Sequence, residues 1–204
     1  MRRFAALTAV AVACALAFAP AALADRKPYA FDKNHSEVNF VAEALLLSAH
    51  GFFGSWEGSV EIDPTQLEDA TIRIEIDAAS INTRNERRDN HLRSGDFFDV
   101  QNNPKITFVS TKVTKVDDKN LKVTGDLTIR GKTKSIEIPV RIVFLRETDG
   151  RFKSEFQINR QDFGVSYNSR LNPIEDLVTV QLDVHLQQPR PPAPAQQPAK
   201  PTSK

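Results

Sequence analysis

The sequence is poor in cysteine, and this excludes several kinds of site. Cys14 is the only cysteine among the 204 residues, and it lies in an apolar segment near the N-terminus. Disulfide bonds, cysteine nucleophiles and cysteine-ligated metal sites are therefore not expected in the rest of the chain. The fold must depend on its hydrophobic core, and the chain is long enough to bury one.

An excess of charge of one sign is also missing. Residues 25–204 hold 25 Lys and Arg against 26 Asp and Glu, with no evident basic face, so nucleic acid is not an expected partner. The four histidines show no spacing of two to four residues, and we expect no metal ion or other cofactor. A metal site built from distant strands is the one alternative that this spacing leaves open. The histidines are His35, His50, His91 and His185.

Residues 1–24 have the pattern of a secretory signal peptide. Two arginines precede an apolar run that contains Cys14, and a small-x-small cleavage site precedes Asp25. The run is too short for a stable membrane span, and the residues before Cys14 do not favour lipidation. We therefore expect export to the periplasm. The expected organisation is a single domain at residues 25–188 followed by a Pro-rich, disordered tail at residues 189–204.

Apolar and polar residues alternate with a period of two through most of the chain. About eight such segments follow one another at short spacing, separated by turn residues. This pattern predicts an all-β fold, an antiparallel sheet with one buried face that curls into a barrel. Two positions are irregular. Leu45, Leu46 and Leu47 either continue the first strand or bulge from it, and Pro139 places its strand at an edge or at a bulge.

Residues 84–98 interrupt the alternation. The segment is highly charged at its start and closes on Leu92, Phe97 and Phe98, which predicts a short helical lid over the end of an apolar barrel. Arg88 and Asp89 are expected to anchor this lid as an ion pair.

Three motifs resemble catalytic or phosphate-binding sites, but a structural role explains each of them better. Asp89, His91 and Ser94 could be arranged as acid, base and nucleophile, but no nucleophile-elbow pattern occurs, and we expect no catalytic residues. The segment that ends in Gly131-Lys132-Thr133 has the wrong spacing for a phosphate-binding loop and predicts a hairpin turn. Gly164, at the end of an Asp-Phe-Gly triplet, is expected to adopt a backbone conformation that other residues avoid.

The aromatic residues are mostly phenylalanine, with 13 Phe against two Tyr and one Trp. Phe40, Phe53, Phe108 and Phe156 fall on strand faces that we interpret as inward. These rings either fill the barrel, as side chains do in small barrels, or line a cavity. The residues alone favour neither alternative.

Several motifs in a fixed order resemble one known family across residues 29–187. They are Asp32-Lys33-Asn34-His35-Ser36, Gly51-Phe52-Phe53, Arg88-Asp89-Asn90-His91-Leu92, Asp96-Phe97-Phe98-Asp99, Gly125-Asp126-Leu127 and Arg160-Gln161-Asp162-Phe163-Gly164. With these motifs the chain resembles the YceI-like family of exported lipid- or polyisoprenoid-binding proteins. The resemblance implies an extended, eight-stranded, lipocalin-like antiparallel barrel that holds a long apolar chain, often as a homodimer, and has no catalytic residues.

The resemblance favours a cavity over a filled barrel. The resulting hypothesis is a periplasmic binding or carrier protein whose partner is a hydrophobic small molecule of the polyisoprenoid or fatty-acyl type. Two alternatives are an enzyme that acts on such a lipid and a packed structural barrel that binds a protein partner. The predicted ligand-binding residues, of which Phe97 and Phe98 would close the pocket, are Phe40, Phe53, Trp56, Phe97, Phe98, Phe108, Phe156 and Ile158.

Overall fold

The structure is a computed structural model that describes residues 26–189, and it is built almost entirely from one antiparallel sheet. The predicted signal peptide and all but the first residue of the predicted Pro-rich tail lie outside the described residues. The strands are β1 (Lys27–Phe31), β2 (Glu37–Ala44), β3 (Ala49–Phe53), β4 (Trp56–Asp63), β5 (Gln66–Asp77), β6 (Ile81–Asn82), β7 (Lys105–Lys115), β8 (Asn120–Ile129), β9 (Lys132–Leu145), β10 (Asp149–Asn159) and β11 (Ile174–Gln187).

Eight of these strands form a closed ring, in the order β1-β4-β5-β7-β8-β9-β10-β11, and the pairing of β1 with β11 closes it. The remaining three continue interrupted strands: β2 follows β1, β3 precedes β4, and β6 follows β5. Short 3₁₀ turns at Lys33–His35 and Ala78–Ser80 make two of the breaks, each capped by the preceding aspartate side chain. The predicted eight-stranded antiparallel barrel is confirmed.

The two ends of the barrel are built differently. At the closed end β1 pairs with both β4 and β11, and residues such as Tyr29, Val60 and Phe108 form a continuous core. At the lid end, a second core forms around Phe97, Ile106 and Phe163. The segments that cover this end are residues 84–103 and 160–173.

The lid segment contains the helix α1 (Glu86–Arg93), as the sequence predicted. The Asn85 side chain caps it by accepting a hydrogen bond from the Arg88 backbone N–H at 3.1 Å. Arg93 donates to the carbonyl oxygens of Ala79 and Ile81 at 2.8 Å. These bonds hold the helix against β6 and against the 3₁₀ turn between β5 and β6. In the described part of the chain, no helix is long and apolar enough to cross a membrane.

The sequence predictions for individual residues are mostly confirmed. Gly131 lies in a hairpin turn with φ of 69°, and Gly164 ends a 3₁₀ turn with φ of 73°. The pairing of β9 with β10 shifts in register and ends at the Arg141–Lys153 pair, so Pro139 lies just beyond it. The prediction for Leu45, Leu46 and Leu47 is wrong. They neither extend β2 nor bulge from it but form an exposed bend before β3.

Candidate functional site

A cavity of about 520 Å³ lies inside the barrel and runs between the closed-end core and the lid-end core. Its size falls in the range of small-molecule pockets, roughly 300–1,000 Å³. The walls come from the inward positions of nearly every strand, since alternation sends one face of each strand inside. The interior is therefore incompletely filled by side chains.

Seven of the eight predicted ligand-binding residues line this cavity. They come from five different segments of the chain, which the barrel brings together: Phe40, Phe53, Phe97, Phe98, Phe108, Phe156 and Ile158. The rings also contact one another. Phe53 lies 5.7 Å from Phe40 and 6.1 Å from Phe98 between ring centroids. Phe98 thus joins the lid to the wall of the cavity, and contact of these residues with a ligand stays a prediction.

Trp56 is the exception, because it does not line the cavity. It is buried, and its ring packs edge-on against Phe31 with centroids 5.2 Å apart. Phe31, on β1, is the residue that faces the cavity here. The sequence predicted Trp56 as a ligand-binding residue, but a sequence pattern cannot show which of two rings on neighbouring strands lines the cavity.

The largest share of the wall is aliphatic, and our prediction overlooked it by concentrating on phenylalanine. The alternation itself carried the signal, since Val, Ile or Leu occupies many of the inward positions along the strands. Examples from four strands are Ile72, Ile74, Val123, Leu127, Ile136, Ile138, Val178, Val180 and Leu182. Branched aliphatic walls of this kind have few hydrogen-bonding groups and suit an apolar occupant.

Apart from Asn39 on β2, the polar residues that line the cavity come from the lid segment and from the segment after β10. Arg88 and His91 project from α1, and Tyr167 comes from the segment after β10. The His91 ring lies edge-on against Tyr167 and Phe97, with centroids 4.8 and 5.0 Å apart, and its Nε2 lies 2.9 Å from Asp96 Oδ2. The cavity therefore has an apolar body and one polar end.

Arg160 holds the segment around Tyr167 in place. This guanidinium is buried, and it donates to the carbonyl oxygens of Val165, Tyr167 and Ile174 at 2.7, 2.9 and 3.0 Å. It also donates to the Glu175 carbonyl and to Asp176 Oδ1. Because all five of its N–H groups are used, we interpret Arg160 as a structural residue at the polar end.

Four exposed leucines lie on two neighbouring loops beside the cavity, and we call them the leucine rim: Leu45, Leu46, Leu47 and Leu171. Their exposed fractions are 71, 75, 63 and 87%. Backbone hydrogen bonds of 3.0 Å from Leu45 to the Pro173 carbonyl and of 2.9 Å from Leu46 to Asn172 Oδ1 join the two loops that carry them. Leu47 and Asn172 also line the cavity, so the two loops that carry the rim border it.

The residues considered for catalysis do not assemble into a catalytic set. Asp89 is buried and accepts hydrogen bonds from the backbone N–H and the hydroxyl of Thr83, whereas His91 contacts Asp96. The Ser94 hydroxyl donates to the His91 carbonyl at 2.7 Å. The three side chains therefore have separate partners.

The predicted ion pair between Arg88 and Asp89 is also wrong. Arg88 instead donates to the Thr83 hydroxyl at 2.7 Å and to the Thr83 carbonyl at 2.9 Å. Thr83 thus joins the two side chains and anchors α1 to the end of β6 by hydrogen bonds.

Two histidines that are far apart in sequence come together outside the cavity. His35 and His185 converge with Asp32 on the outer surface of the closed end, with potential ligand atoms within 4.8 Å of one another. The sequence analysis expected no metal and left only such a site from distant strands open. No short-range spacing could have revealed it.

Comparisons with known proteins agree with this fold. The model of the YceI-like domain matches residues 29–186. A "UPF0312 protein" of Pseudomonas syringae pv. tomato is 37% identical over 169 residues, covering 78% of this chain and 86% of that protein. One from Staphylococcus aureus is 35% identical over 150 residues, covering 70 and 85%.

Solved structures show the same barrel. The YCEI protein of Campylobacter jejuni has a TM-score of 0.65 and 28% identity, covering 71% of this chain and 88% of that chain. BcnA of Burkholderia cenocepacia has a TM-score of 0.71 and 24% identity, covering 76 and 98%. A domain from Saccharophagus degradans, described as polyisoprenoid-binding, has a TM-score of 0.65 and 17% identity, covering 79 and 98%. From the match over residues 29–186 and these relatives, the chain belongs to the YceI-like family.

Proposed function

We propose that this protein binds and carries a long-chain hydrophobic ligand of the polyisoprenoid or fatty-acyl type inside the barrel. The observation that carries this proposal is the cavity of about 520 Å³ with an almost wholly apolar wall. A barrel that served only as a packed scaffold would fill this space with side chains. The Saccharophagus degradans domain, described as polyisoprenoid-binding, supports the ligand class.

The energetics fit such a ligand. Each buried methylene contributes about 0.8 kcal/mol, and micromolar affinity requires about 8 kcal/mol. About ten buried methylenes would provide this before ordering costs, so an isoprenoid or fatty-acyl chain is long enough. One methylene more or less changes binding by only about 1–3 kcal/mol. The apolar body of the cavity therefore selects for a class of chains, and length discrimination is weak.

The polar end gives the ligand an orientation. An apolar chain would occupy the body of the cavity, and its polar head group would lie near Arg88 and His91 of the lid. Head-first binding would leave a polar group among aliphatic side chains without hydrogen-bond partners, which costs free energy. The ligand would thus enter tail first.

An enzyme acting on such a lipid is the weaker alternative. Its candidates, Asp89, His91 and Ser94, are bound to separate partners, and Asp89 is buried against Thr83. Turnover of an extracted lipid by wild-type protein but not by His91→Ala would support an enzyme and contradict a simple carrier.

Native mass spectrometry of the protein purified from its periplasm, followed by organic extraction, tests the proposal. We expect an added mass that releases a polyprenyl or fatty-acyl species. The matched variants are Ala42→Phe, which places a ring in the cavity, and Val41→Phe, on the outer face of the same strand. We expect the first to lose the ligand and the second to keep it. A protein without ligand that also fails to take up added polyprenol and fatty acid would contradict the proposal.

The periplasmic location is part of the same proposal and rests on the pattern of residues 1–24. Cell fractionation with N-terminal sequencing tests it. We expect mature protein in the periplasmic fraction that begins at Asp25. Full-length protein retained in the cytoplasm would contradict export, without affecting the test of ligand binding.

A further inference from the structure

Three side chains with metal-binding groups meet on the outer surface of the closed end. Asp32 and His35 flank the break between β1 and β2, and His185 comes from β11, which pairs with both strands. Asp32 Oδ2 lies 2.8 Å from His35 Nδ1 and 3.5 Å from His185 Nδ1. The cluster is separate from the cavity, because none of the three residues lines it.

His185 is the informative member of this cluster. Its Nδ1 is buried and has no hydrogen-bond partner, although it faces the Asp32 carboxylate. Its other nitrogen, Nε2, is hydrogen-bonded to Asp149 Oδ2 at 3.5 Å. A neutral histidine that donates from Nε2 has a lone pair on Nδ1. In that state an unshared electron pair and a carboxylate oxygen face each other, and a cation between them would satisfy both.

We propose that Asp32, His35 and His185 bind a divalent transition-metal ion of the zinc type. Imidazole and carboxylate are ligands that zinc uses in proteins, whereas magnesium and calcium prefer oxygen ligands alone. The contact of Asp149 with the far nitrogen of His185 is the arrangement that commonly orients a metal-binding histidine.

The potential ligand atoms all lie within 4.8 Å of one another, and their two separations from Asp32 are close to those of a tetrahedral site. With metal–ligand bonds of about 2.1 Å, neighbouring ligand atoms in a tetrahedral site lie about 3.4 Å apart. The separation of Asp32 from His185 already has this value, at 3.5 Å. The His35 ring must move outward by about half an ångström from its hydrogen bond with Asp32. Its side chain is 73% exposed and free to do so, and water can occupy the fourth position.

Occupancy of this site would reinforce the closure of the barrel. The metal would bridge the β1–β2 break to β11, next to the Ala30–Gln187 and Phe31–Leu186 pairs that close the ring. An ion that binds the folded state alone raises stability by mass action.

Zinc titration of the full, tag-free protein after treatment with chelator tests the inference. We expect one Zn²⁺ per chain by calorimetry, an increase in Tm with Zn²⁺, and no comparable effect of Mg²⁺. Replacing one ligand should weaken binding by about 100-fold or more, and Asp149→Asn by about 10-fold. The ligand variants are His35→Ala and His185→Ala, and His50→Ala on β3 is the matched control.

The His35→Ala variant decides the question if His185→Ala fails to fold, because His35 is exposed and outside any strand. Equal zinc affinity of wild type and His35→Ala would overturn the inference. An absence of zinc binding by the wild type would overturn it too, and the cluster would then only join the β1–β2 break to β11 through side-chain contacts. Neither outcome affects ligand binding in the cavity.

Discussion

The closed end and the lid end of the barrel differ in what holds them together. At the closed end, strand pairing around the full ring surrounds a continuous apolar core that includes Val60 and Phe108. At the lid end, segments outside the strands are held by arginine side chains that donate to backbone carbonyls. Arg93 binds Ala79 and Ile81, Arg130 binds Gly95 and Gly164, and Arg160 binds residues 165–175.

Because of this difference, the closed end can keep the barrel folded while the lid end opens to admit a ligand. Backbone groups in a paired ring satisfy one another, so opening the closed end would break many hydrogen bonds at once. The lid end depends on a few side chains, each of which can release its segment without unpairing the barrel. We therefore expect local opening at the lid end to admit ligand while the closed end stays folded.

The largest expected effect comes from a charge in the closed-end core. Phe108 is buried, and its ring lies across Gly125 on β8, where an added Cβ would come within 2.4 Å of it. Phe108→Asp should destabilise the fold by about 4 kcal/mol or more, because a buried carboxylate has no partner there. Phe97→Asp, equally buried but in the lid, should cost less and abolish ligand binding in a folded protein.

Urea denaturation measures the free energy of unfolding of Phe108→Asp and Phe97→Asp, and an uptake assay measures their ligand binding. Phe108→Leu and Phe97→Leu are the controls, because they keep an apolar side chain at each position. Equal destabilisation at both positions would show that the two ends unfold together. A Phe108→Asp protein that folds and still binds ligand would contradict its place in the cavity wall.

The next largest effect should come from Arg160→Ala. Removing this guanidinium leaves four carbonyl oxygens in a partly buried segment without their donor, which should cost about 3 kcal/mol. Hydrogen exchange should show the loss of protection confined to residues 160–176. Arg146→Ala is the control, since its exposed ion pair with Asp149 should contribute less than about 1 kcal/mol. Loss of protection over the whole barrel would contradict the separation of the two ends.

The sequence predicted the closed end better than the lid end. Period-two alternation revealed β2, β4, β5 and β7–β11, because each strand buries one face against the same interior. It missed β1, which is only five residues long and contains Pro28. At the lid end the helix was recognised from its break in alternation, but the anchors were not. The bonds of Arg160 to carbonyls depend on backbone positions that no side-chain pattern records.

The candidate site also contains residues that the sequence placed correctly and contacts that it could not predict. Alternation placed Phe40 and Phe108 correctly, but it could not show that Phe31 stands between Trp56 and the cavity. It also could not bring His185 to Asp32, since that contact depends on the pairing of the first and last strands.

A smaller effect is expected from pH. The Arg151 guanidinium, with Lys153, lowers the pKa of Asp183 to about 2 from 3.8. The folded state therefore favours the ionised carboxylate, and this stabilisation is complete above about pH 4 and is lost as the pH falls through 2. Asp183→Asn should lower the free energy of unfolding by at most about 2 kcal/mol at pH 6 and by much less near pH 2.

Urea denaturation at both pH values measures this difference. Asp118→Asn is the control, because that carboxylate is almost fully exposed in a turn and should show a small effect at most. A loss in Asp183→Asn that is equal at pH 6 and pH 2 would indicate that packing, and not charge, is responsible.

The smallest effect on stability is expected at the leucine rim, and it is also the sharpest test of access. Leu46 and Leu171 are 75 and 87% exposed, so Leu46→Ser with Leu171→Ser should change the free energy of unfolding by less than about 0.5 kcal/mol. If ligand enters between these loops, the rim provides the first apolar contact for its chain, and the double variant should take up ligand from vesicles several-fold more slowly. Once bound, the chain lies beyond Leu46 and Leu171, which do not line the cavity, so the equilibrium affinity should change little.

Val116→Ser, at an exposed apolar residue in the turn between β7 and β8, is the matched control and should leave the rate unchanged. Equal slowing by the control would mean that uptake depends on general surface hydrophobicity, and an unchanged rate in the double variant would place the entrance elsewhere in the wall.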